Sequence, residues 1–268
     1  MSEIEDRMNK IGFSFRAWLV LGSLLAPLAA EASPSAQEIL DASDRVRIPT
    51  QAFHLTNRLV EYVEGRARDQ VVLSIQASED PQSHQYRNLV RYREPPRDLG
   101  KIVLMNGSNM WFYDPASKSS LRISPQQRLV GQASDGDVMA VNLGRDYKPA
   151  LSGEESLQDA DRQERQCWHL DLAAATDEAV YNRVEYWIEK DSYHPIKAKF
   201  YADSGRLLKI AYYRKYETQL GGLRPTELVL IDAVNSALVT IISASDFRFQ
   251  DIPESWYQRD YLPRVSEE

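Results

Sequence analysis

The sequence predicts an antiparallel all-β protein built on one meandering sheet. Three features carry that expectation. Apolar and polar residues alternate with period two over most of the chain after Pro49. Short turn signals separate these runs: Asn106-Gly107, Asp203-Ser204-Gly205 and Gly221-Gly222. No stretch between them is long enough and helical enough to serve as the crossover of a βαβ unit.

Taken in order, Ser35 to Arg47 reads as a helix. Ser35 is placed to cap it, Glu38 completes the spacing of a capping box, and Ile39, Leu40 and Val46 give it an apolar side. The first strand follows, with Phe53, Leu55, Asn57 and Leu59 on one face and His54, Thr56, Arg58 and Val60 on the other. Further strands are expected at Gln70–Ala77, Gln85–Arg93, Lys101–Met105 and Met110–Tyr113. Later ones fall at Gln166–Leu172, Arg183–Glu189, Ile196–Tyr201, Arg206–Glu217, Leu223–Ala233, Ala237–Ser245 and Asp246–Phe249. Residues 124–151 break this rhythm. Pro125 suits the start of a helix and Gly131 its end, so the segment is expected to be a helical insert lying across the sheet.

Several strands are apolar on both faces. Leu228-Val229-Leu230-Ile231 and Leu238-Val239-Thr240-Ile241-Ile242 show it most clearly. A sheet with one face in water would alternate. Each face therefore needs a cover, and a curved sheet covered by helices can enclose an apolar space for an apolar ligand.

The 268 residues carry 32 Lys and Arg against 39 Asp and Glu, a net charge of −7, which speaks against nucleic-acid binding. The run from Ala17 to Ala30 follows Lys10 and Arg16 and ends in Ala30-Glu31-Ala32. That is the pattern of a secretory signal peptide over residues 1–32, too short and too interrupted by Pro27 for a membrane span. Glu3, Glu5 and Asp6 fit poorly in such a leader, which leaves Met1 and Met8 as alternative starts. Cys167 is the single cysteine, so no intramolecular disulfide can form and no lipid can be attached at the cleavage site. Residues 33–268 are expected to form one domain in the periplasm.

The segment Leu104-Met105-Asn106-Gly107-Ser108-Asn109-Met110-Trp111-Phe112-Tyr113-Asp114-Pro115 resembles the LolA-like superfamily of periplasmic lipoprotein carriers. Pro95-Pro96 after a Tyr- and Arg-rich strand is similar to that superfamily too, and Arg122-Ile123-Ser124, Gly131-Gln132-Ala133-Ser134 and Asp137 are similar to its subgroup of outer-membrane lipoprotein-sorting proteins. The resemblance extends from Ser35 to about Leu262 and implies an open antiparallel half-barrel with a helical lid. It further implies a lipid or lipoprotein cargo passed towards the outer membrane. The implied partners are an inner-membrane lipid exporter and an outer-membrane acceptor. In such carriers an Arg before a Pro tethers the lid; Arg91 and Arg93 are the candidates here, although Arg91-Tyr92-Arg93-Glu94-Pro95-Pro96 does not superimpose uniquely.

Candidate lipid-contacting residues are Leu55, Leu59, Val71, Leu73, Ile75, Val90, Trp111, Tyr113, Trp187, Phe200, Leu228, Leu230 and Ile241. An alternative within the same resemblance is a periplasmic sensor that binds lipid or lipoprotein and restrains an inner-membrane protein. An enzyme is not expected. His54, His84, His169 and His194 lack zinc-binding spacing, and there is no nucleophile elbow, P-loop or dinucleotide fingerprint. No cofactor or metal is expected either.

Overall fold

The computed structural model describes residues 33–176 and 179–265. The signal peptide expected at residues 1–32 lies outside the described residues. The chain opens with helix α1 (Ala36–Arg47), where the Ser35 hydroxyl accepts from the Glu38 N–H and the Glu38 carboxylate accepts from the Ser35 N–H. Arg47 ends it, and Ile48 turns into extended backbone ahead of Pro49.

Thirteen strands form one open antiparallel sheet. The first half is β1 (Phe53–Val63), β2 (Arg66–Glu79), β3 (Tyr86–Glu94), β4 (Ile102–Asn106), β5 (Asn109–Asp114) and β6 (Ser119–Arg122). Residues 123–146 then form a crossing segment of β7 (Arg128–Val130), β8 (Ala133–Ser134), a 3-10 turn at Asp135–Asp137 and α2 (Leu143–Asp146). The second half is β9 (Tyr147–Gln158), β10 (Glu164–Ala174), β11 (Arg183–Glu189), β12 (Pro195–Tyr201), β13 (Leu207–Gln219), β14 (Gly222–Asp232) and β15 (Leu238–Phe249).

The order across the sheet is β6-β5-β4-β3-β2-β1-β15-β14-β13-β12-β11-β10-β9. The chain thus starts in the middle, meanders to one edge, is carried by the crossing segment to the opposite edge, and meanders back until β15 pairs with β1. Because the crossing segment must bridge the sheet's width, it lies over one face, here called inner. Its apolar residues Val130, Val138, Met139 and Val141 join Ile39 and Leu40 of α1 in the main core, against Leu59, Leu73, Leu170, Tyr186 and Leu230 of the sheet.

The outer face has a separate cover over part of its width. Two 3-10 segments, Glu254–Tyr257 and Arg259–Arg264, lay Trp256, Tyr257 and Leu262 over Leu89, Ile102, Leu104 and Tyr113. Glu254 is bound there by Arg87 at 2.5 and 2.8 Å, and the Tyr257 carbonyl accepts from Asn106 Nδ2 at 3.0 Å.

The expected strands are present, several of them longer than read. Asp246–Phe249 is the end of β15 and no separate strand. The crossing segment corrects the expectation of a helix at 124–151. Gly131, with φ +54°, turns a two-stranded hairpin instead of ending a helix, and the helix that does form is the single turn Leu143–Asp146. β9 carries Glu154, Glu155 and Lys148 on an edge strand and has no apolar alternation to reveal it.

Candidate lipid-binding space

Between the inner face and its cover a space of about 160 Å³ remains. Its walls come from α1's end, the first strands, the crossing segment and β13–β15, and include Phe53, Leu55, Ile75, Met139, Leu228 and Ile242. A second space of about 60 Å³ continues beneath β11–β13, against Val184, Tyr186 and Phe200. Arg47, Asp137, Met139, Tyr213 and Leu228 border both, so these side chains are the partition between them. Both spaces are smaller than the ~300 Å³ at which small-molecule pockets usually begin. Side chains of the cover and the sheet occupy most of the interior between them.

The walls mix apolar side chains with polar ones, Arg47, Asn57, Asp137, Arg224 and Glu227 among them. Arg47 is largely buried, its side chain 14% exposed; its Nη2 donates to Asp44 Oδ1 and to the Val141 carbonyl, each at 2.6 Å. Burial works against the Arg47 charge, but Asp44 beside it prevails and holds the guanidinium above its ordinary value. Its Nε is buried without a hydrogen-bond partner among the described residues. The end of α1 is fixed by Arg224 of β14, which donates to the Val46 and Arg45 carbonyls at 2.8 and 3.2 Å.

The cover is pinned at both sides. On β3, Asn88 Nδ2 donates to the Ala140 carbonyl and Asn88 Oδ1 accepts from the Ala140 N–H, both at 2.8 Å. Gln85 Oε1 accepts from the Asn142 N–H at 2.8 Å, and Gln85 Nε2 donates to Asp146 at 2.7 Å. On β13, Lys209 forms a buried ion pair with Asp137 and donates to the Gln132 carbonyl at 3.0 Å. Asp137 also accepts from the Ser134 N–H, the Ser134 hydroxyl and the Tyr181 hydroxyl, at 2.7, 2.8 and 2.7 Å. Asp135, next to it, is buried too; burial, then the Asp137 charge, raise its carboxyl to about 7.

Of the residues singled out in the sequence, Leu55, Ile75 and Leu228 line the larger space, and Phe200 and Leu228 the smaller. Leu59, Val71, Leu73, Val90 and Leu230 point to the same side but are closed into the core. Four others fall on the outer face. Trp111 and Tyr113 pack under the C-terminal segment, Trp187 packs with Cys167 and Ile196, and Ile241 alternates with inward Thr240 and Ile242. In Trp111-Phe112-Tyr113 only Phe112 turns inward, meeting Tyr92 edge-on at 6.5 Å. Arg91 and Arg93 also sit on the outer face of β3, opposite to the cover, and Arg91 lies 5.9 Å from the Trp256 ring of the C-terminal segment. Asn88, Gln85 and Lys209 are the residues whose side chains tie the crossing segment to the sheet, and no sequence signal marks them.

An open antiparallel sheet with a crossing cover on one face defines a LolA-like fold. A family model described as an uncharacterized protein matches residues 84–264, and the chain belongs to that family. A LolA superfamily protein from Nitrosomonas europaea shares 29% identity, with a TM-score of 0.76 over 85% of this chain and 100% of that one. A DUF1329 family protein from Desulfovibrio piger is 19% identical, with a TM-score of 0.70 over 86% of this chain and 100% of its own. A domain described as that of an outer membrane lipoprotein-sorting protein, from Vibrio parahaemolyticus, is 18% identical, with a TM-score of 0.68 over 85% and 98% of the two chains. No curated protein matches the chain.

Proposed function

We propose that the protein is a periplasmic carrier that holds an acyl chain of a lipid or lipoprotein in the space beneath the crossing segment, for transfer towards the outer membrane. The observation that carries this reading is the apolar space bordered by a cover that packs its own apolar side chains against the sheet, is tied to it by side-chain hydrogen bonds and one ion pair, and belongs to a separate two-stranded ladder. A cover held in that way can lift without breaking the sheet's ladder. Arg47 Nε gives the space an unpaired donor, suited to the ester or amide carbonyl at the head of an acyl chain.

The energetics favour capture. Each buried methylene contributes ~0.8 kcal/mol, so an acyl chain of ordinary length offsets the loss of several of the cover's hydrogen bonds at ~1 kcal/mol each. Release then needs an acceptor as apolar as the carrier. The reading makes the protein a binding protein whose partners are a lipid donor and a lipid acceptor.

The test is organic extraction of protein purified from the periplasm without detergent, followed by mass spectrometry of the extract. About one acyl lipid per chain is expected, and the Leu228→Trp variant, which fills the partition, should carry far less. Lipid-free protein that also takes up no fluorescent fatty acid overturns the reading.

A further inference from the structure

The outer face of the central strands carries an apolar array that the carrier function leaves unused. In the ladder, Val60 lies beside Ile241, Ile241 beside Val229, and Val229 beside Tyr212. Two residues along, Tyr62 lies beside Val239, Val239 beside Ile231, and Ile231 beside Ile210. Their sequence neighbours Leu59, Ile242, Leu230 and Ala211 point inward to the core, so by strand alternation these side chains point outward. All of them are half-buried, and none belongs to an apolar cluster of the described residues. At ~4.8 Å between strands and ~7 Å between alternate residues, the array is a continuous strip about 14 Å wide. The C-terminal segment that shields the outer face covers β3–β5 and leaves this strip open. Contiguous patches of this kind mark interaction surfaces.

The rim identifies the occupant. Lys197, the next residue in the first row, has its ammonium 5.2 Å from the Trp187 ring and 5.5 Å from the Tyr212 ring. It has no carboxylate partner among the described residues. Arg58, on the same outward face of β1, hydrogen-bonds Gln70 at 2.7 Å, which in turn donates to Glu94 at 2.9 Å, and makes no direct ion pair among the described residues. Two acids near the rim are paired, Glu185 by Lys199 and Arg183 and Glu227 by Arg214 and Lys215, while Glu155, beyond Trp187, accepts from the Trp187 indole N–H and lies 3.4 Å from His169. In a chain of net charge −7, this surface is apolar with a cation that makes no direct ion pair at each end. A second copy placed face to face by a two-fold axis would set Lys197 against either Lys197 or the Arg58 edge, cation against cation. An anionic lipid surface meets every element instead. Branched aliphatics enter the interface, Tyr62 and Tyr212 sit at headgroup level, and Lys197 and Arg58 pair with phosphates.

We propose that the protein docks peripherally on anionic membranes through the outer face of β13, β14, β15 and β1. This surface is opposite to the lipid space and independent of it.

The test is co-sedimentation of the purified protein with phosphatidylcholine vesicles, with and without phosphatidylglycerol. Binding is expected only to the anionic vesicles and should weaken with added salt. Lys197→Gln and Arg58→Gln should each weaken it about fivefold, the equivalent of ~1 kcal/mol per cation near such a surface. The pair Val229→Thr and Ile241→Thr keeps β-branched residues on the strands, and it should reduce binding further with an unchanged melting temperature. Leu228→Trp, which blocks the inner space, should sediment as the parent does; loss of its sedimentation would show that vesicles are bound as cargo and would overturn the proposal. So would absence of binding to anionic vesicles, equal binding by the charge variants, or a stable dimer abolished by the threonine pair.

Discussion

Replacing Lys209 by Met tests how the cover is held. The Lys209 and Asp137 side chains are 6% and 3% exposed, so their ion pair is buried. Removing one member of such a pair leaves the other charge in a low-dielectric site and typically costs 3–5 kcal/mol. Here Asp137 keeps three donors, from the Ser134 N–H, the Ser134 hydroxyl and the Tyr181 hydroxyl. Those donors stabilise the remaining carboxylate and place the cost of Lys209→Met near the lower end, ~3 kcal/mol. Lys209→Met with Asp137→Asn removes both charges while the Asn amide oxygen still accepts from Ser134 and Tyr181, and should recover most of that loss. Urea unfolding gives the magnitudes, and hydrogen exchange at residues 133–141 shows whether the loss is local to the cover. A single variant that loses less than ~1 kcal/mol, or a double variant as unstable as the single, would refute the claim that the pair clamps the crossing segment.

Asp135→Asn should change how stability depends on pH. The folded carboxyl keeps its proton to about pH 7, while the unfolded chain releases it near the ordinary 3.8. The folded state therefore binds more protons in between, and this group's contribution falls as pH rises from about 4 to 7. At ~1.4 kcal/mol per pH unit the variant should gain a few kcal/mol over the parent by pH 8, and little at pH 4, in melts across that range. Gly131→Ala should destabilise by roughly 2 kcal/mol or more in urea unfolding, because of its positive φ and its crowded site. A Cβ there would stand 2.2 Å from Thr240 Oγ1, which already accepts from the Gln132 N–H at 2.7 Å. Trp256→Ala should cost about 3 kcal/mol by loosening the C-terminal segment. Uptake of a fluorescent fatty acid should stay unchanged, because Trp256 covers the outer face.

The sequence made the sheet legible because period-two alternation and turn residues are local signals. Ser35 and Glu38 likewise announced α1 through a spacing that only a helix N-terminus requires. Facing was harder to read. Trp111, Tyr113, Trp187 and Ile241 have the composition of cavity walls, but parity alone cannot say which face is inside when both are apolar. Trp111 and Tyr113 are buried by Trp256 and Tyr257, well over a hundred residues away in the chain. The ties of the cover were illegible for a similar reason. Asn88 to Ala140, Gln85 to Asn142 and Lys209 to Asp137 are long-range contacts between residue types that are usually solvated on a strand. β9 escaped notice because an edge strand that avoids aggregation lacks the apolar pattern by which strands are recognised.

The central claim is that the crossing segment lifts from the inner face to admit an acyl chain. The direct measurement is uptake of a fluorescent fatty acid by a protein carrying Asn88→Cys and Ala140→Cys, a pair placed where the Asn88 side chain meets the Ala140 backbone. With the disulfide formed, uptake should be abolished, and reduction should restore it to the parent's level. Uptake by the oxidised protein equal to that of the reduced one would contradict the claim.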